Sequence, residues 1–206
     1  LHKRSGMGFP FRPILDETIR NIYFHVSLWF AMMILFLAAM IYSIKFLRNT
    51  NSQNDYWASA LTSTGLLMGI LGLVTGAIWA EYTWGKFWSW DIKQTTTLIA
   101  LLIYFAYFVL RQAFPDEAQK ARISAVYNIF AFAALIPLIY VLPRLMDSLH
   151  PGNGGNPGFG GYDLNNYMKL VFYPAIIGWT LLGVWLINVR VRMKSIEENR
   201  LTKSHQ

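Results

Sequence analysis

Tryptophan is concentrated in one short segment of this 206-residue chain, which holds four of the eight tryptophans. The candidate ligand-binding residues of this segment are Trp79, Trp84, Gly85, Phe87, Trp88, Trp90 and Asp91. Two interpretations of its aromatic residues are open. The aromatic rings form a belt at the level of the lipid headgroups, as in an ordinary structural membrane subunit. Alternatively, they form a flat platform for a planar ligand such as a porphyrin, whose carboxylates would pair with Lys86 or Lys93.

Histidine supplies the other candidate chemistry. The chain has four histidines, of which His2 and His205 lie near the termini, whereas His25 and His150 lie at the ends of apolar segments. Taken singly, each of the latter two is also typical of an interfacial residue. Two imidazoles on the same side as an aromatic platform are typical of axial haem ligation. We therefore predict His25 and His150 as ligands of a haem iron.

The absence of cysteine limits the possible chemistry. It excludes disulfides, thiolate metal sites, a thiol nucleophile and covalent haem attachment through CxxCH. A bound haem would therefore be non-covalent haem b. The sequence also contains no motif of a hydrolase, metalloprotease, ATPase or dinucleotide-binding enzyme, so we predict no catalytic residues and no enzymatic activity of its own.

The composition predicts a membrane protein. Hydrophobic residues make up 54% and charged residues 14% of the chain, against about 45–50% and about 25% in soluble domains. Five segments without Asp, Glu, Lys or Arg are long enough to span a bilayer as helices: Asn21–Ile44, Trp57–Ala80, Gln94–Leu110, Ile123–Pro143 and Leu170–Val189. The predicted fold is an all-α, polytopic helix bundle, a single membrane domain over residues 1–206.

The distribution of positive charge predicts the orientation. The net charge of +7 lies between the apolar segments and in the tails, which argues against nucleic acid as a partner and for a lipid bilayer. Lysine and arginine favour one side, at Lys45, Arg48, Arg111, Lys120, Arg122, Arg190, Arg192, Lys194, Arg200 and Lys203. The loops of the other side contain only Lys86, Lys93, Arg144 and Lys169. We therefore predict a cytoplasmic C-terminus.

Two loops are predicted on the outer side, a tryptophan-rich loop over residues 81–93 and a glycine-rich loop over residues 144–168 that contains His150. Asp91 stands near the start of the third span, where it can cap a helix, serve a ligand pocket, or do both. In the second span, four glycines at spacings of four, three and four predict a face that a neighbouring helix approaches closely. Pro137 and Pro174 are expected to kink their spans.

The segment WGKFWSWD, at Trp84–Asp91, resembles the tryptophan-rich signature of haem-handling proteins in cytochrome c maturation. The resemblance is closest to the CcmC type, the haem exporter proteins C. It extends to IRNIYFHVSLWF around His25, to the sequence flanking the loop and to HPG at His150, and so covers most of residues 19–151. Members of that family usually have six spans, with one before the first histidine, whereas five are visible here. The first aromatic pair of the signature is Lys-Phe here instead of Trp-Trp.

The resemblance implies a function and a set of partners. His25 and His150 would be the axial ligands, and the tryptophan loop would hold the porphyrin. The protein would lie in the bacterial inner membrane and deliver haem on the periplasmic side to the haem chaperone CcmE, together with the ABC-type subunits CcmA and CcmB and the small protein CcmD. The alternative is a subunit of a cytochrome c haem lyase or synthase. The spans lack the extra histidines of the larger synthases, which favours haem delivery.

Overall fold

A computed structural model of the chain describes residues 17–150 and 164–204. These residues form helices and no strand. Five helical segments are long and apolar enough to cross a membrane: Glu17–Asn49, Ser52–Trp84, Ile92–Gln112, Glu117–Leu145 and Asn166–Glu197. The predicted all-α bundle with five visible spans is confirmed.

Four of the five spans extend beyond their predicted bounds by a turn or more at one or both ends, and the third extends by two residues at each end. After a 3-10 turn at Glu17–Asn21, the bundle consists of α1 (Ile22–Asn49), α2 (Ser52–Trp84), α3 (Ile92–Gln112), α4 (Glu117–Ile136), α5 (Leu142–Leu145) and α6 (Asn166–Ser204). Capping accounts for the extra turns of α2. The Asn51 side chain accepts a hydrogen bond from the Gln53 N–H at 2.9 Å, and Gly85 ends the helix in the left-handed conformation with φ of 71°, which glycine adopts without strain.

This cap shortens the predicted tryptophan-rich loop of residues 81–93. Residues 81–84 form the last turn of α2, and residues 92–93 begin α3. The segment between the two helices is therefore 85–91, which we call the tryptophan loop.

The glycines of α2 form its closest contact with α1. A Cβ atom on Gly65 would lie 2.7 Å from the ring of Phe36, and one on Gly72 would lie 2.9 Å from the ring of Trp29. Gly76 faces the ring of His25 in the same way. No larger side chain fits at these distances, so the prediction of a face for close helix approach is confirmed, with α1 as the partner helix.

An ion pair joins α2 and α3 at the end of the bundle opposite the tryptophan loop. The guanidinium of Arg111 donates to both carboxylate oxygens of Asp55, at 2.8 Å for the Nη1–Oδ1 contact. Asp55 is buried, and two parallel hydrogen bonds fix the relative orientation of the groups. Because the tryptophan loop connects the same two helices, α2 and α3 are held at both ends.

The fourth span changes its helix type at Pro137. There α4 gives way to a π-helical segment, Pro137–Val141, none of whose residues is buried, and then to α5. Pro137 supplies no N–H for the regular hydrogen-bond ladder, so the expected kink takes the form of this π-helical segment. Pro174, in contrast, lies inside the continuous α6.

The predicted glycine-rich loop of residues 144–168 is described only in part. Residues 144–145 belong to α5 and residues 166–168 to α6. Residues 146–150 and 164–165 connect to these helices, and residues 151–163 lie outside the described part of the chain.

We expect Gly65→Ala to destabilise the bundle by about 1–3 kcal/mol, the usual cost of overpacking a tight core. The added methyl would overlap Phe36, whose ring is stacked on Tyr104 at 3.5 Å between centroids and therefore has no room to move. The measurement is the thermal unfolding midpoint of the purified chain in detergent. Gly178→Ala is the matched control, because nothing lies within 4 Å of that position. Equal midpoints for the two variants would contradict the packing argument.

Candidate functional site

The candidate site lies where α1 begins, α2 ends and α3 begins, which we call the loop end of the bundle. The tryptophan loop and residues 146–150 meet there, through contacts between Asp91 and the segment 148–150. Both candidate ligands, His25 near the start of α1 and His150 after α5, are at this end.

The buried side chain of Gln94, in the first turn of α3, holds part of the tryptophan loop. Its Oε1 accepts hydrogen bonds from the Ser89 backbone N–H at 3.0 Å and from the Ser89 hydroxyl at 3.1 Å. Its Nε2 donates to the Phe87 carbonyl at 3.4 Å. One amide thus pairs with both a donor and an acceptor of the loop backbone.

Asp91 has two functions at the loop end. Its Oδ1 accepts from the Lys93 N–H at 2.9 Å and so caps α3. The same carboxylate accepts from the Leu149 N–H at 2.6 Å, from the Ser148 hydroxyl at 2.9 Å and from the His150 ring at 2.8 Å. Capping and a role in the site were both open from the sequence, and this side chain does the capping while it also fixes the position of His150.

The surroundings of Asp91 favour its ionised form. Burial by itself would raise the pKa of this carboxyl. The hydrogen bond from the His150 ring, the Leu149 N–H, the charge of His150 and the Ser148 hydroxyl act in the opposite direction, and together they hold the pKa of Asp91 below its usual value. The carboxylate therefore remains charged at neutral pH, as its four hydrogen bonds require.

The ring of His150 is held through one of its two nitrogens. A carboxylate oxygen only accepts, so Nδ1 of His150 carries a proton in its 2.8 Å contact with Asp91. Nε2 has no hydrogen-bond partner among the residues that the structure describes. The ring also packs edge-on against Trp84, with centroids 4.7 Å apart and an interplanar angle of 73°. These two contacts fix the tautomer and the plane of the imidazole, and a carboxylate in this position is the usual outer partner of a metal-ligating histidine.

His25 is fixed in the same way by a backbone group. Its Nδ1 lies 2.8 Å from the Gly72 carbonyl oxygen and 3.3 Å from Trp29 Nε1. We assign the proton to Nδ1, since the shorter contact is to a group that only accepts. Trp29 and Trp79 flank the ring edge-on, at centroid distances of 6.0 Å and 6.1 Å. Nε2 is again the nitrogen left for a ligand.

The predicted aromatic residues divide into two sets. Trp79 and Trp84 contact the histidines, and Trp79 is anchored by a 3.1 Å hydrogen bond from its Nε1 to the Thr18 hydroxyl. The others lie on the loop itself, where Trp90 is 75% and Phe87 57% exposed. Trp88 packs edge-on against Trp90 at 5.9 Å. Gly85 is the C-cap of α2.

Sequence reasoning missed three contributors to this site, Gln94, Ser148 and the carbonyl of Gly72. Gln94 and Ser148 are common polar residues, and only their long-range contacts distinguish them. Gly72 was singled out for close packing, but its carbonyl, and not its missing side chain, orients His25. The described residues contain no group of three or more His, Asp or Glu suited to holding a metal ion.

Comparison with known proteins identifies related sequences. The family model described as "Heme exporter protein C" matches residues 12–206. The "Heme exporter protein C" of Haemophilus influenzae is 30% identical over 140 residues, which cover 68% of this chain and 56% of that protein. That of Rhodobacter capsulatus is 25% identical over 206 residues, covering 97% and 83%. The "Cytochrome c biogenesis protein CcsA" of Synechococcus sp. (strain CC9605) is 36% identical over 85 residues, covering 41% and 28%.

We expect Asp91→Ala to destabilise the chain by about 2–4 kcal/mol, because it removes a helix cap together with buried, charge-assisted hydrogen bonds. Asp116→Ala is the matched control. Asp116 caps α4 through a 2.7 Å contact with the Gln119 N–H, and its loss should cost about 1 kcal/mol. The measurement is unfolding in detergent, with the rate of His150 carbethoxylation as a second readout. The same loss in both variants, with no change in His150 reactivity, would refute the anchoring role.

Proposed function

The chain belongs to the heme exporter protein C family, and from this premise we propose that it binds haem at the loop end and delivers it to a haem chaperone. It is a multi-pass membrane protein. The proposal rests on the hydrogen bonding of the two histidine rings. Each has Nδ1 in contact with a protein acceptor and, among the described residues, no hydrogen-bond partner at Nε2, and both lie at the same end of the bundle.

The histidines would supply the two axial ligands of the iron. A neutral imidazole binds iron through its unprotonated nitrogen, and a hydrogen bond to the other nitrogen fixes the ring and raises its basicity. Asp91 gives His150 a charged partner, whereas His25 contacts the neutral Gly72 carbonyl and the indole of Trp29.

The aromatic residues would enclose the porphyrin without a covalent bond. Trp79 and Trp84 pack beside the histidines, and Trp90 and Phe87 offer exposed flat surface on the loop, with Trp88 packed edge-on against Trp90. Because the chain contains no cysteine, the cargo would be non-covalent haem b. The ammonium of Lys93 or Lys86 would pair with a propionate of the haem.

The exposed side of the tryptophan loop would also allow haem to be released. Trp90 and Phe87 are largely exposed, so a partner can reach a porphyrin edge while the histidines still hold the iron. We propose the chaperone CcmE as that partner, CcmA, CcmB and CcmD as the associated subunits, and the bacterial inner membrane as the location. The loop end would face the periplasm and the C-terminus the cytoplasm. On this proposal the chain itself makes no covalent bond.

A lyase subunit is the second candidate function. The observation that favours it is the similarity to the "Cytochrome c biogenesis protein CcsA" sequences over 85 residues. Such a subunit would have to bind the apocytochrome as well as haem.

We expect the chain, purified in detergent after expression with its haem chaperone, to show the absorption spectrum of six-coordinate haem. His25→Gly and His150→Gly should each lose one axial ligand and with it this spectrum, and added imidazole should restore it by occupying the space of the missing ring. His205→Gly is the control and should leave the spectrum unchanged. A six-coordinate spectrum that persists in the double variant would exclude the ligand assignment.

Direct binding distinguishes delivery from lyase activity. We expect the haem-loaded chain to bind the purified haem chaperone, with binding weakened by Trp90→Ala because that ring is exposed on the loop. Trp185→Ala on α6, whose ring is also exposed, is the control. A CxxCH peptide of an apocytochrome should not bind. Saturable binding of that peptide, without binding of the chaperone, would support the lyase function instead.

A further inference from the structure

Four neutral polar side chains are buried inside the bundle, away from the loop end: Ser43 on α1, Thr62 on α2, and Ser124 and Asn128 on α4. Each has at most 1% of its surface exposed. The Asn128 amide nitrogen donates to the Ser43 hydroxyl at 3.0 Å and to the Thr62 hydroxyl at 3.1 Å. A single amide group therefore links three membrane-spanning helices.

Two atoms of this group have no hydrogen-bond partner among the residues that the structure describes. They are the amide oxygen Oδ1 of Asn128 and the hydroxyl oxygen of Ser124, and both are inaccessible to solvent. An unpaired polar atom in an apolar interior is costly. The two residues are four positions apart on α4, so their side chains are neighbours on one face, with Cβ atoms about 5–6 Å apart. That separation suits one small molecule making a hydrogen bond to each.

We propose that Asn128 and Ser124 form a binding site for one buried water molecule. The water would donate to Asn128 Oδ1 and exchange a second hydrogen bond with the Ser124 hydroxyl. None of the four side chains is charged, and the carboxylate of Asp55 is paired with Arg111. A cation here would therefore lack a counter-charge, which makes its burial far more costly than that of a neutral molecule. Buried waters typically satisfy otherwise unpaired polar groups in this way.

The amide nitrogen of Asn128 already donates its two hydrogen bonds, so the water would supply a partner for the amide oxygen, which can accept two. This junction holds the first half of the fourth span against α1 and α2. Beyond it, the π-helical segment Pro137–Val141 buries no residue. In the described part of the chain, the polar contacts of the fourth span with α1 and α2 lie in its first half. This inference is independent of haem binding and uses no residue of the loop end.

The test is proton-detected solid-state NMR of the full chain in lipid bilayers, with asparagine labelled by nitrogen-15. Magnetisation is transferred from water to the side-chain amide of Asn128, whose signal is assigned by its absence in Asn128→Leu. We expect a water cross-peak in the wild type and its loss in Ser124→Ala. Ser27→Ala, which removes another buried hydroxyl without a described partner, should retain it. Ser27 lies 16 positions before Ser43, about 24 Å along α1.

Absence of the water cross-peak in the wild type would overturn the proposal, and so would its survival in Ser124→Ala. Ser124→Cys keeps the volume of the side chain but bonds weakly, so it should lose the cross-peak even if the alanine variant packs differently. A change in the Asn128 signal when sodium is replaced by choline would show a cation in place of water, and would also overturn the proposal.

Discussion

The close contact between α1 and the glycines of α2 is the constraint on which the loop end depends. Because α2 presents hydrogen atoms where other residues have side chains, the rings of Phe36, Trp29 and His25 lie directly against its backbone. At that distance the Gly72 carbonyl reaches the His25 ring. A helix pair at ordinary separation would leave this imidazole without its backbone partner. The packing of the bundle therefore sets the tautomer of a candidate ligand.

His150 is controlled by a different kind of interaction. It lies on a non-helical segment, where packing alone would not fix a side chain. A buried carboxylate with four donors around it, Asp91, performs that function. Because the same group caps α3, the start of that helix and the segment 148–150 cannot move independently. One candidate ligand is thus placed by steric contact and the other by charge, and in both Nε2 has no hydrogen-bond partner among the described residues.

Much of the architecture follows from hydropathy. Segments without charge and of spanning length have few alternatives to a helix in lipid, and parity of crossings puts His25 and His150 on one side. Hydropathy predicts the ends of the helices less well. Caps such as Asn51 and Gly85 allow α2 to continue into polar sequence beyond its apolar segment. Gln94 could not be assigned to the tryptophan loop for a related reason. A glutamine at the start of a helix is common, and its contacts with Ser89 and Phe87 are seen only in the folded chain.

Composition and the order of residues along the chain are enough to predict the helical membrane fold and to put the tryptophans and both histidines at one end. They do not reveal that Asp91 holds His150, 59 positions away in the sequence, or that a backbone carbonyl orients His25. A hydrogen bond depends on distances below about 3.2 Å and on direction. Such distances between helices are fixed by packing, and residue types alone do not specify them.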